Sequence, residues 1–426
     1  MSSALATRIS EEHASFAGSL PASVISLDRR RGAVQALEQQ GLPTTRDENW
    51  KYANLRPLEK VRFAPVAQSG ARSVAGLLPP PLAGYSRYTF VDGVFAPELS
   101  LPADRAGVSV QSLRQRAVVS TQPLAPDARF ALLNEAFTTD GASIRVGAGS
   151  ESRVEIVFAA TVDAQTGASY PRIELQVEGG ARFGLVERHI SAGNEFVNGV
   201  VDIDIGRDAR VEHYRVQQMG PRALWFDTLS ATLARDAKYR LHAVSLGALS
   251  ARSTVNIRVA GEGAEVGVNA ASVADLHQSH DQFVLVDHTA PRAITEQTFR
   301  GVAAGRARVA FNGKIVVRKE ARGTDSRQSL RGLLAGPEAE IDVRPQLEIY
   351  TDDVKCSHGA TAGKLDDDML FYLLSRGLDR DTAQRLLKWA FLEDVVARIE
   401  VPELRRQIEQ SLAGHLNETV TLKELL

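Results

Sequence analysis

The sequence predicts a mainly β protein with a β-solenoid core flanked by N-terminal and C-terminal α-helical parts. Three observations lead there. Between about residues 150 and 355 apolar and polar residues alternate, as in VEIVF, RVEHYRV and IDVRPQLEIY, the period of a strand. Within that stretch a small residue followed by a polar and then an apolar one recurs at near-constant spacing. It stands as Ser152-Arg153-Val154, Ala181-Arg182-Phe183, Ala209-Arg210-Val211, Ala237-Lys238-Tyr239 and Ala264-Glu265-Val266. Two later copies, Ala307-Arg308-Val309 and Ala339-Glu340-Ile341, follow after longer gaps, and a Gly or Asp precedes most of them. A repeat of this length means stacked units that bury their apolar faces only against one another. A large β-sandwich also suits short strands with regular turns, but it has no reason to repeat one tripeptide at constant spacing. The third observation is that helical periodicity returns on both sides of the stretch.

Residues 1–60 read as the N-terminal helical region. Leu27, Val34 and Leu37 fall at helical spacing, and Gly41 followed by Pro43 is a stop signal. Residues 61–100, with LLPPPLAGY, read as a linker, and residues 101–364 as the solenoid core. Residues 365–426 form a C-terminal helical domain. There Asp366, Asp367 and Asp368 crowd a helix start, Gly377 ends that helix, Asp379 caps the next and Pro402 opens a third.

Composition limits the function. The 426 residues are 44% apolar and 24% charged, with a net charge of −2. That balance argues against a nucleic-acid binder, and the absence of an apolar run of about 18 residues argues against a membrane-spanning helix. The N-terminus lacks a basic segment followed by an apolar one, so a cytoplasmic location is expected. One cysteine, Cys356, excludes an intramolecular disulfide and any multi-cysteine metal site built from this chain alone.

Few local patterns suggest chemistry. GATAGKL at 359–365 is one residue short of a phosphate loop, and Leu365 replaces the needed hydroxyl; a turn is the plainer reading. His277, His280 and His288 cluster too loosely for zinc and read as solvated or hydrogen-bonded side chains. No nucleophile elbow and no certifiable carboxylate pair is present. The segment PQLEIYTDDVKCSHGATAG is the most specific. If it is a strand, Val354, Cys356 and His358 share one face, with the thiol and imidazole about 7 Å apart. Both residue types bind iron clusters, although a lone Cys on an apolar face is also an ordinary small core residue. Leu386, Leu387, Trp389, Ala390 and Phe391 give the second C-terminal helix two apolar faces, one for the domain and one for a partner.

The stretch PQLEIYTDDVKCSHGATAGKLDDDMLFYLLSRGL resembles the C-terminal signature of the Suf iron–sulfur scaffold family, which includes SufB and SufD. GLPTTRDENWKYANL resembles the N-terminal segment of SufD-type members through Gly41, Leu42, Pro43, Glu48, Trp50, Lys51 and Tyr52. FNGKIVV at 311–317 fits the family's late core strands. SufB-type members carry additional cysteines, so the single Cys356 fits the SufD type better. The resemblance implies a right-handed parallel β-helix. It also implies a complex with a SufB-type scaffold and a SufC-type ATPase, with no ATPase activity in this chain and a homodimer as a possible state of the isolated chain. SufB and SufD would pair through the ends of their β-helices, and the C-terminal helices would dock SufC. His358 would serve cluster assembly at the interface, and Cys356 would lie beside it. No cofactor would be held tightly by this chain alone, the transient cluster being shared with SufB. A β-solenoid carbohydrate-active enzyme and a purely structural adaptor are the alternatives.

Overall fold

The computed structural model describes residues 2–65, 74, 76–103, 106–115 and 128–416. The chain is mainly β, a parallel solenoid of about eight coils with helices at both ends. The N-terminal elements are α1 (Ser2–Phe16), α2 (Leu27–Gln40), β1 (Ser86–Val91), β2 (Val94–Phe95), β3 (Val108–Ser112) and α3 (Arg129–Phe137). The first coils contain β4 (Ala142–Val146), β5 (Glu151–Ala159), β6 (Arg172–Val177), β7 (Arg182–Ile190), β8 (Phe196–Ile205), β9 (Arg210–Met219) and β10 (Leu224–Leu233). Further along come β11 (Lys238–Gly247), β12 (Ser250–Val259), β13 (Glu265–Ala274), β14 (Ser279–His288), β15 (Ile294–Ala303) and β16 (Arg308–Val317). The run closes with β17 (Thr324–Leu334), β18 (Glu340–Ile349) and β19 (Val354–Lys364), and then α4 (Asp367–Ser375), α5 (Arg380–Val396) and α6 (Pro402–His415). Thus β1 and β2 lie inside the span 61–100, and α3 lies inside 101–364.

Each coil gives one strand to each of two sheets. The odd-numbered strands from β5 to β19 stack in order with β1 and then β2 beyond β5, and the even-numbered strands from β4 to β18 stack with β3 beyond β4. Pairing is parallel except at one end, where β2 runs antiparallel to β1 and β3 antiparallel to β4. Antiparallel strands therefore finish that end of both sheets. The apolar residues of the two inner faces meet in one continuous core, among them Val154, Leu185, Val211, Tyr239, Val268, Phe299 and Phe311.

The recurring tripeptide is the corner that lets coils stack in register. Ala181, Ala209, Ala237 and Ala264 are fully buried, and the apolar residue two positions later enters the core. The residue before each Ala takes a left-handed backbone: Gly180 at φ 71°, Asp208 at 58°, Asp236 at 55° and Gly263 at 70°. Glycine adopts this conformation freely, and Asp is one of the few side chains that tolerates it. The corners are joined by backbone hydrogen bonds from Arg210 to Ala181, Lys238 to Ala209 and Glu265 to Ala237, at 2.8, 2.8 and 2.9 Å.

Three copies fall elsewhere than the simple count suggests. Arg182 pairs with Glu151, so the first rung is Gly149-Ser150-Glu151, two residues before the Ser152 copy. The tripeptide also missed a rung, Arg292-Ala293-Ile294, because Ile294 is apolar where the pattern asks for a polar residue; Glu265 pairs with Ile294. The copies at Ala307 and Ala339 belong to the other sheet, where Arg308 pairs with Glu340. The even-sheet copies share the tripeptide but not the left-handed residue just before it, since Arg306 and Glu338 precede Ala307 and Ala339 and the positive φ nearest Ala307 is at Gly305, so the tripeptide alone does not say which sheet a rung joins.

The helices cover the outer faces. Trp50 stacks on Phe130 at 5.1 Å, and Phe130 stacks on Phe226 of β10 at 4.7 Å, which seats the N-terminal part on the even-strand sheet. On the odd-strand sheet, Trp389, Leu392, Val396, Leu404 and Ile408 pack with Val216, Val244, Leu246 and Val273. Gly41 stops α2 at φ 70°, with its N–H on the Leu37 carbonyl at 2.8 Å. Asp366 accepts from the N–H groups of Asp368 and Met369, both at 2.9 Å, and Asp379 accepts from Thr382 at 2.9 Å. These are N-caps that satisfy otherwise unpaired amides.

Candidate functional site

The solenoid has two unlike ends. One is finished by β2 and β3. At the other, β18 pairs only with β16 and β19 only with β17, so both last strands present an unpaired edge among the described residues. The core also opens there. Ile341, Val343 and Leu347 of β18 and Val354 and Cys356 of β19 pack on the last buried layer but stay half-exposed. Solenoid ends need a cap, and bare strand edges template pairing with another chain.

Cys356 and His358 lie on this terminal strand. Their register partners on β17 are Ser326 and Gln328, both buried. In-register parallel strands point paired side chains the same way, so Cys356 and His358 continue the inner columns of the solenoid. Cys356 is half-buried and His358 exposed. Lys355 and Ser357 are exposed on the opposite face. Burial pushes the Cys356 thiol above its usual value; the Asp325 carboxylate adds to this, and the Ser326 backbone only partly offsets it. The thiol is therefore protonated near neutrality and is a poor ligand until a cation or metal draws off its proton.

The column below His358 is polar. Gln328 donates from Nε2 to Gln297 Oε1 at 3.0 Å and to the Gly313 carbonyl at 2.9 Å. That uses both of its hydrogens, while its own Oε1 has no partner in the interior. Gly313 faces this pair closely: a Cβ there would stand 2.7 Å from Gln297 Oε1 and 2.8 Å from Gln328 Nε2, so the two amide ends would have to shift and their hydrogen bond with them. Farther along the lumen, Arg215 lies between Glu187 and Asp227, and His213 Nε2 reaches Glu187 Oε2 at 2.9 Å. All four side chains are buried. Burial opposes ionisation of Glu187, yet Arg215 and its two histidine neighbours, His189 and His213, hold it well below the carboxylate range. Burial prevails at Asp227, which is raised despite Arg215. Strand alternation alone gives no warning of these inward charges, because such residues usually occupy the solvent face.

The other sequence candidates are dispersed. His280 is buried, with Nδ1 at 2.9 Å from Ser272 Oγ and Nε2 on the Gly247 carbonyl. His288 Nε2 meets Thr295 Oγ1 at 2.9 Å. Burial lowers both histidines to about 4, and His277 is exposed on a turn. No group of three or more His, Cys, Asp or Glu positioned for a metal occurs among the described residues. GATAGKL is not a turn: β19 runs through it to Lys364.

On the C-terminal helices, Trp389 is buried between α5 and the sheet, and Phe391 packs on the same cluster. Leu386 and Leu387 are half-exposed and Ala390 is exposed. The larger open apolar surface is on α4, where Met369 is 58%, Phe371 72% and Tyr372 55% exposed. Met369, Tyr372 and Leu373 form with Leu387 a shallow apolar groove of about 410 Å³. DDDMLFYLL contained that signal, six consecutive large apolar residues on a helix that buries only Leu370.

Residues 159–391 match the family model described as the SUF system FeS cluster assembly SufBD core domain. The chain is 29% identical over 383 residues to the iron–sulfur cluster assembly protein SufD of Escherichia coli, covering 88% of this chain and 89% of that protein. It is 29% identical over 411 residues to an iron–sulfur cluster assembly SufBD family protein of Synechocystis, covering 91% of each. A SufBD family protein of Mycobacterium tuberculosis is 24% identical over 413 residues, covering 94% of this chain and 96% of the relative.

Proposed function

Because the chain belongs to the SufBD family of iron–sulfur cluster assembly proteins and is of the SufD type, we propose that it is a non-ATPase scaffold subunit that completes its site only with a partner. The observation that carries this reading is the uncapped end of the solenoid. Half-exposed core residues, two bare strand edges, one thiol and one imidazole occur together there. A cluster commonly takes four ligands, and this end offers two candidates. A SufB-type chain laid edge to edge against β18 and β19 would cover Val343, Leu347 and Val354 and supply the missing ligands. The cluster is cargo in this account, held across the interface and then released. His358 would bind iron through a neutral ring nitrogen, and Cys356 would assist once its proton is lost.

The α4 surface supports the second contact. Met369, Phe371 and Tyr372, with Leu387, offer an apolar dock for a SufC-type ATPase, and Trp389 serves to hold α5 on the sheet. ATP-driven closure of SufC would shift the SufB–SufD contact by favouring one arrangement over the other. The family match gives no support to a carbohydrate-active enzyme.

The test is reconstituted cluster assembly with His358→Ala and Cys356→Ser. His358→Ala is expected to keep the complex intact and to lose cluster formation, and Cys356→Ser to be milder. Assembly at the parent rate with His358→Ala would overturn the assignment. So would a loss explained entirely by a dissociated complex, which would make His358 a packing residue.

A further inference from the structure

A cleft of about 890 Å³ lies between the N-terminal segment and the corners leading into β14 and β16, away from Cys356 and His358. Its walls carry Arg46, Lys51, Arg56, His277, Arg306 and Arg308, and no Asp or Glu lines it. That is a strong local bias in a chain with 50 basic and 52 acidic residues. Structural ion pairs account for only part of it. Arg306 pairs with Glu338, and Arg308 is held by Asp342 at 2.8 Å and by Glu340 at 3.4 Å while its guanidinium sits 5.0 Å over the Tyr52 ring, so the charges of these two are already met. Arg46, Lys51 and Arg56 are exposed and form no ion pair with any described residue, Lys51 lying 5.4 Å over the Tyr52 ring. Asn54 and Ser279 add polar groups to the wall. The bland alternative is a set of solvated surface cations. Against it stand the common concavity and the fixing of Arg308 before any ligand arrives.

We propose that this cleft binds a small molecule carrying a diphosphate group. Three cations that have no ion pair among the described residues, gathered on one concave wall, call for more than one negative charge. Arginines present paired donors that match phosphate oxygens, and lysine adds a point charge. The volume lies in the range of small-molecule sites, which favours a compact ligand over a folded acidic partner. This inference does not rest on the cluster-assembly reading, and it can fail while that reading stands.

The experiment is titration calorimetry of the full chain with inorganic pyrophosphate, ADP and sulfate. The parent is compared with Arg46→Ala/Lys51→Ala/Arg56→Ala and with Arg327→Ala, a control on β17. Pyrophosphate should bind at one site with an affinity that falls as salt rises. Each lost contacting cation should weaken binding about tenfold, so the triple variant should lose at least 100-fold while the control is unchanged. Equal binding of pyrophosphate and ADP would identify a free diphosphate as sufficient, and tighter binding of ADP would identify a nucleotide; both support the proposal. Three results overturn it: no binding of either probe, undiminished binding to a folded triple variant, or sulfate binding as tightly as pyrophosphate, meaning an adventitious ion only. Circular dichroism of the triple variant separates lost binding from lost folding, and the salt dependence measured on the parent tests the proposal without any variant.

Discussion

Arg215→Leu should be among the most destabilising single changes in the lumen, and its cost should grow with pH. The Arg215 guanidinium reaches Glu187 Oε1 from Nε at 3.1 Å and from Nη2 at 3.0 Å, and it pairs with Asp227 through Nη1. The three side chains are at most 3% exposed. Without Arg215, Glu187 keeps His189 and His213 at 2.5 and 2.9 Å, but neither Asp227 oxygen has another hydrogen-bond partner. Stranding a buried charge in this way costs about 3–5 kcal/mol. Asp227 already binds its proton more tightly in the folded chain than its ordinary value of 3.8 implies, because burial outweighs Arg215. A carboxyl with a raised folded value loses stability as pH rises through that value. Leucine raises it further, so the deficit should widen as pH rises above the ordinary carboxyl value of 3.8. Glu187 has the opposite sign. Its folded value is depressed, so its contribution is complete above its ordinary value of 4.5 and is lost only in acid. Urea unfolding of parent and variant at several pH values measures this. Arg215→Leu/Asp227→Leu should recover about half the loss by removing the stranded acid. A single variant within about 1 kcal/mol of the parent at pH 8, with no pH trend, would refute the reasoning.

Other consequences are simpler. Ala237→Leu places three extra carbons at a fully buried corner between the rungs of Ala209 and Ala264, and it should cost about 1–3 kcal/mol by overpacking, read from the same unfolding curves. Cys356 should react with iodoacetamide more slowly than a free thiol at pH 7.5, because burial and Asp325 hold its proton on. Its rate should still be climbing above pH 9, and a pH–rate profile levelling off below pH 8 would contradict that environment. Asp366→Ala removes two cap bonds from the first turn of α4. It should loosen that helix by about 1 kcal/mol and weaken SufC capture, while the melting of the β core stays unchanged.

The solenoid was legible because its signals are periodic and redundant. Left-handed Gly180, Asp208, Asp236 and Gly263 and buried Ala181, Ala209, Ala237 and Ala264 mark successive coils at fixed intervals. Which sheet a rung belongs to was not legible from the tripeptide, since Ala followed by Arg opens both the rung at Arg210 and the rung at Arg308. Asp366 and Asp379 could be read as caps because capping is local. The inward charges Glu187, Arg215 and Asp227 could not, because each is stabilised by residues on other coils. For the site, alternation correctly put Cys356 and His358 on one face of a strand. That the strand is the last of its sheet, with an open core beside it, depends on the stacking order of distant coils. The apolar dock shows the same limit. Trp389 and Phe371 are both large aromatics on C-terminal helices, and only the packing of α5 on the sheet buries one and leaves the other exposed.

The central claim is that the uncapped end pairs with a SufB-type chain. Co-purification of this chain with the SufB-type and SufC-type chains of the same genome tests it most directly, comparing the parent with Leu347→Asp/Val354→Asp and His358→Ala. Leu347 and Val354 are half-exposed in the isolated chain, so Asp is tolerated in the folded subunit but carries a buried charge into any covered interface. The account predicts that the double variant stays folded, retains the SufC-type chain through α4 and loses the SufB-type chain, whereas His358→Ala retains both. A folded double variant that brings down the SufB-type chain as well as the parent does would contradict it.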